Sequence, residues 1–168
     1  MQRRTLLKLS IASAAVLTLV GGAVATIKPG LDRGALTAVG LEVFRAIATG
    51  ILDKTLPDET NRKIAALDAL MLDINGLVSA LPDHAQAELS QLLSILGTVA
   101  GRYALTGLQA SWVTATVVEV QTALQGMRLS SLAVRQQAYA ALHDITTGAY
   151  FSRPGNWAVL GYPGPLKI

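Results

Sequence analysis

The stretch LDALMLDINGLVSALPDHAQAELSQLLSIL, Leu67 to Leu96, decides the fold. Its apolar residues recur every three or four positions on both sides of one interruption. Leu67, Leu70, Met71, Ile74, Leu77, Val78 and Leu81 precede it; Leu89, Leu92, Leu93 and Leu96 follow it. That is the period of an amphipathic α-helix. The interruption is Leu81-Pro82-Asp83, where proline cannot continue a helix and Asp83, with Gln86 three residues on, resembles a capping box. Two helices joined by so short a turn are expected to form an antiparallel pair.

The same period extends outward. Ile64 adds to the first face, with Asp58 or Thr60 as the expected cap. Upstream, Leu36, Val39, Val43, Ile47 and Ile51 form a helix ending near Leu56-Pro57; downstream, the Leu89 face continues through Val99 and Tyr103. Ala104 to Val118 carries no charge but falls short of the roughly 20 apolar residues a membrane span needs. It reads as a buried helix capped by Ser111, with Val113, Val117, Val120, Leu124 and Met127 inward and Gly126 helping to end it. A last helix from about Ser130 carries Tyr139, Leu142, Ile145 and Ala149, closed by Gly148 and Pro154. No internal repeat, low-complexity linker or useful β-alternation interrupts the pattern. The expectation is an all-α protein, a compact bundle of four or five helices with an irregular Pro/Gly/aromatic C-terminal tail.

The chain has 168 residues, enough for one domain that buries roughly 70% of its unfolded surface. Its apolar fraction of 51% is raised by the first 25 residues. There Arg3, Arg4, Leu6, Leu7 and Lys8 precede an uncharged run from Leu9 that ends in the A-x-A site Ala23 to Ala25. This order is that of a secretory signal, and the paired arginines resemble the twin-arginine type that exports folded proteins. The expected division is residues 1–25 as signal, 26–150 as helical domain and 151–168 as docking tail, with cleavage after Ala25; an uncut membrane anchor is the alternative. Three of the fourteen Lys and Arg lie in the leader, so the remainder balances eleven bases against eleven acids. A formally neutral body offers no nucleic-acid footprint.

The absence of cysteine excludes disulfides, thiolate metal sites, a Cys nucleophile and covalent haem attachment. His84 and His143 fall on different expected helices without metal-ligand spacing. His143 and Asp144 are helix neighbours, pointing about 100° apart, and are not expected to act as base and orienter. Asp68 and Asp73 diverge on one helix and read as part of a polar face. No nucleophile elbow, phosphate loop or dinucleotide turn is present. A catalytic or cofactor-binding role for this chain is therefore not expected.

The tail FSRPGNWAVLGYPGP, Phe151 to Pro165, differs in kind. Tyr150, Phe151, Trp157 and Tyr162 are four of the chain's eight aromatics. Pro154, Pro163 and Pro165 stiffen the backbone, while Gly161 and Gly164 permit turns. Large aromatics on a stiff frame suit either an interface anchor or a plug for the protein's own bundle.

The segment TTGAYFSRPGNWAVLGYPGP, Thr146 to Pro165, resembles the C-terminal end of the gluconate 2-dehydrogenase subunit 3 family. The match rests on Gly148, Tyr150, Phe151, Pro154, Trp157 and Gly161 to Pro165, with Ala149 standing where an aromatic is commoner. The twin-arginine leader and the central helix pair with its L-P turn are also similar. The resemblance implies a non-catalytic small subunit of a periplasmic, membrane-associated dehydrogenase. In such a complex a large glucose-methanol-choline-type subunit holds FAD, a cytochrome c subunit often accepts the electrons, and the small subunit supplies the export signal to the twin-arginine translocase. Partner contacts would fall on Tyr150, Phe151, Pro154, Trp157, Gly161, Tyr162, Pro163, Gly164 and Pro165. Two rival readings are a stand-alone exported bundle enclosing an apolar ligand, and a small enzyme using His143, Glu119 or a tyrosine.

Overall fold

The computed structural model describes residues 28–162 and 164. The leader residues Arg3, Arg4, Leu6, Leu7, Lys8, Ala23 and Ala25, and Pro163 and Pro165 of the tail, lie outside the described residues. The protein is mostly all-α: among the described residues six α-helices surround a single core, beside one small hairpin.

The hairpin pairs β1 (Leu31–Asp32) with β2 (Ala35–Leu36) through Arg33 and Gly34, at φ 48° and 79°. Positive φ at both central residues is the tight-turn geometry that suits strand twist. Two residues per strand leave no alternation to detect in sequence. Helix side chains tie the hairpin down: Gly30 N donates to Ser94 Oγ, Leu31 N to Ser90 Oγ and Leu36 N to Asn75 Oδ1, at 3.0, 3.0 and 2.7 Å. A Cβ at Gly30 would overlap that of Leu93, so only glycine allows this approach.

Helix α1 (Ala38–Ile51), capped by the Thr37 hydroxyl, is central. It packs against α2 (Thr60–Ser79), α3 (Asp83–Gly97), α5 (Val117–Arg128) and α6 (Ala133–Phe151), and buries Val43, Phe44, Ile47 and Ala48. The expected pair α2 and α3 is present, and Leu67, Leu70, Met71, Ile74 and Val78 face inward with Leu89, Leu93 and Leu96. Ile64 lies at the edge, half-exposed. Caps differ from expectation in detail. Glu59, between the two expected candidates, accepts from Asn61 N and Arg62 N. At Pro82 no side chain caps α3; Gln86 instead donates from Nε2 to Leu81 O, closing the helix before it.

The Leu89 face does not run on to Tyr103. Thr98, in extended conformation, ends α3 and caps a separate α4 (Val99–Thr106) by accepting from Gly101 N at 3.0 Å. The bend turns Val99 and Tyr103 outward, at 72% and 58% exposure. Gly107, at φ 76°, closes α4 as a left-handed cap. This extra break explains why six α-helices stand among the described residues where the hydrophobic period suggests four or five.

The next helix begins later than Ser111. Ser111 makes a local turn, accepting from Ala115 N, whereas Thr116 and Glu119 form a reciprocal capping box that starts α5. Val113 is consequently exposed, Gly126 lies within α5, and Val120, Leu124 and Met127 are buried. The largest fully buried side chains include Phe44, Ile74, Leu93, Met127 and Leu142, contributed by α1, α2, α3, α5 and α6. After α6, Pro154–Leu160 form a 3₁₀ helix, so the tail has more regular structure than its composition suggested. Among the described residues no helix is long and apolar enough to cross a membrane.

Candidate functional site

Helix α6 ends at Phe151, leaving carbonyls without intrahelical partners. The tail satisfies two of them by turning back. Asn156 Nδ2 donates to Tyr150 O at 2.6 Å, and Trp157 Nε1 to Phe151 O at 2.7 Å. Pro154, with φ preset for a helix and no N–H to satisfy, starts the 3₁₀ turn, and Gly161 at φ 67° ends it. Gly164 places its backbone beside the Trp157 ring, which also meets Tyr162 at a centroid distance of 5.5 Å. The result is a small aromatic knot on the end of α6.

Arg153 fixes this knot to the bundle. Its guanidinium donates to both carboxylate oxygens of Asp73 on α2, at 2.5 and 2.8 Å. The hydrogen bonds and charge of Asp73 push the already high pKa of Arg153 further up. Asp68 is engaged separately, with Arg45 of α1 at 2.6 Å. The two aspartates thus serve two different contacts, in keeping with their divergence along the helix.

The expected partner-binding residues divide into three groups. Tyr150 belongs to the core: it is 5% exposed and its hydroxyl donates to Thr55 O at 2.9 Å. Its assignment to a docking surface is corrected, because burial on this chain's own bundle leaves it nothing to offer outside. Phe151, stacked edge-on against Tyr150, and Trp157 are half-buried. Pro154, Gly161 and Tyr162 are exposed, Gly164 is half-buried, and no residue of the 3₁₀ helix is buried. Val159 and Leu160 stand open at 52% and 60%, two residues to which no sequence pattern assigns a role. Arg153 and Asn156, which hold the tail in place, were also missed, since neither carries a signal without its distant acceptor.

Elsewhere an open groove of about 390 Å³ runs between α1, α2 and the start of α5. Leu41, Ala46, Ile64, Trp112, Val113 and Val120 contribute its apolar walls, and Arg45 and Glu42 stand at its polar side. Trp112 sits in the wall because its indole Nε1 donates to Leu96 O, an end carbonyl of α3, at 2.7 Å.

His143 and Asp144 do meet, with Nδ1 3.1 Å from Oδ1, and the imidazole stacks on Tyr139. Both are exposed enough to bend toward each other, which overrides their angular separation on the helix. No nucleophile is hydrogen-bonded to this pair among the described residues: Thr147 Oγ1 is turned back to His143 O. His84 lies exposed in the first turn of α3.

Compared with known protein families, with characterised proteins and with solved structures, the chain matches none of them.

Proposed function

We propose that this protein is the non-catalytic small subunit of a periplasmic FAD-dependent dehydrogenase, contributing a twin-arginine export signal and stabilising its folded flavoprotein partner. The observation that carries the reading is the tail. Internal hydrogen bonds and the Arg153–Asp73 pair hold its 3₁₀ helix against the bundle, and Val159, Leu160 and Tyr162 stand exposed. A surface ordered before binding loses less entropy on docking, so such apolar residues make effective anchors. The resemblance of the tail and leader to the gluconate 2-dehydrogenase subunit 3 family supports the choice of partner, and FAD would reside in that partner. Export of a protein folded around its flavin needs the twin-arginine route, and a partner lacking its own signal can travel on Arg3 and Arg4.

The test is affinity purification of tagged protein from its native host, with mass spectrometry and a visible spectrum of the eluate. A larger co-eluting protein with flavin absorbance is expected. A colourless, solitary protein would refute the reading.

The groove beside Trp112 favours a second reading, a stand-alone exported protein that binds a small apolar ligand. Native mass spectrometry of the isolated chain distinguishes the two, because a retained small molecule without a protein partner supports only the second.

A further inference from the structure

The end of the bundle opposite the tail carries a second uncovered surface. Helix α6 spans 19 residues, so its two end residues lie about 27 Å apart. In the turn between α5 and α6, Leu129 and Leu132 are 68% and 57% exposed. Arg128 precedes them and Arg135 follows them by one helical turn. Arg135 reaches across to α4, donating from Nε to Leu105 O at 2.6 Å, and its other end lies over Gly126 of α5. Three helix ends therefore converge at this corner.

The corner is positive, and no carboxylate pairs with it among the described residues. Arg128 and Arg135 form no salt bridge among the described residues; Arg128 bonds only Gln125, one turn back on its own helix. Arg102, one turn before Leu105 on α4, is 6% exposed; its Nη2 donates to Gln109 O at 3.3 Å, its Nε is unpartnered, and it makes no ion pair among the described residues. Between Val99 and Tyr139 the sequence holds these three arginines and one acid, Glu119, at the far end of α5. Nine of the eleven acidic residues precede Leu89.

We propose that this corner docks directly on an anionic phospholipid bilayer, with Leu129 and Leu132 entering the headgroup boundary and Arg128 and Arg135 meeting lipid phosphates. Exposed leucines bracketed by cations match the apolar and charged layers of such a surface. An acidic protein partner fits less well, because a specific protein interface buries about 800 Å² per side, more than one turn presents. The inference does not rest on the flavoprotein reading. It gives the molecule two working ends, one for a lipid surface and one for a protein.

Flotation of the full-length chain with phosphatidylcholine vesicles, with and without phosphatidylglycerol, tests it. The parent is compared with a triple variant, Arg128→Gln, Leu129→Ser and Leu132→Ser. A control, Leu72→Ser with Val118→Ser, removes equally exposed apolar groups elsewhere. None of these positions is in the core, and serine at 132 suits the start of a helix, so folding is retained. The apolar N-terminal run is common to all three proteins, so differences between them report on the corner. The expected result is preference of the parent for anionic vesicles, weakened by salt, with partitioning reduced at least about tenfold in the triple variant and unchanged in the control. Equal partitioning of parent and triple variant, or an equal loss in the control, would overturn the proposal. So would a parent indifferent to lipid charge, an outcome that would turn attention to an acidic protein.

Discussion

The Glu119 carboxylate accepts from the Thr116 amide and hydroxyl, both at 2.8 Å, and these bonds hold its pKa below the ordinary carboxylate value. Because the folded pKa is depressed, the stabilisation is present at neutral pH and is lost as pH falls through the lowered value. Glu119→Gln should therefore lower the melting midpoint at pH 7, and the difference from the parent should vanish in acid. Thermal melts of both proteins across that pH range check it. Thr116→Ala should lower the midpoint by about 2–4 °C at neutral pH. This capping box was legible in principle, as Thr-x-x-Glu before an apolar run, but the earlier Ser111 took its place in the reading. Trp112 and Arg153 gave no such local signal: their partners, Leu96 O and Asp73, lie 16 and 80 residues away. In the core, Leu142→Ala removes a fully buried side chain and should cost about 2–5 kcal/mol, measurable by denaturant unfolding.

Helix faces were read well where the period is unbroken. Leu67 to Val78 and Leu89 to Leu96 face inward as the spacing requires, since each helix must bury one stripe to be stable. The spacing failed at Val99 and Tyr103 because a single extended residue, Thr98, resets the helix axis without leaving a proline or a charge to mark it. Gly101 makes the bend feasible, for a side chain there would overlap the Ile95 carbonyl. Gly101→Val should consequently destabilise the whole protein, lowering the denaturation midpoint, whereas Gly155→Ala, where a side chain meets open space, should leave it unchanged. The ends of the helices follow a common rule. Gln121 caps Gly50 O, Trp112 caps Leu96 O, Arg135 caps Leu105 O, and Asn156 and Trp157 cap Tyr150 O and Phe151 O. Side chains from other elements thus complete what the helices lack, which orients each helix end as well as satisfying it.

One buried hydrophobic core supports an outward-facing knot built on the end of α6. The tail's composition announced its importance but not its division of labour. Tyr150 serves the bundle, Asn156 and Trp157 serve the helix end, and Val159, Leu160 and Tyr162 remain open. Tyr150→Phe should therefore act on stability through the lost bond to Thr55 O, while changes at Leu160 and Tyr162 should act on association. The most direct measurement is to purify the tagged parent and a Leu160→Ser, Tyr162→Ser variant from the native host and compare bound flavin per chain and melting midpoint. Loss of most of the flavin at an unchanged midpoint is the expected result. Full retention of the flavin, or a variant that unfolds as it loses it, would contradict the assignment of the tail's open edge to a flavoprotein partner.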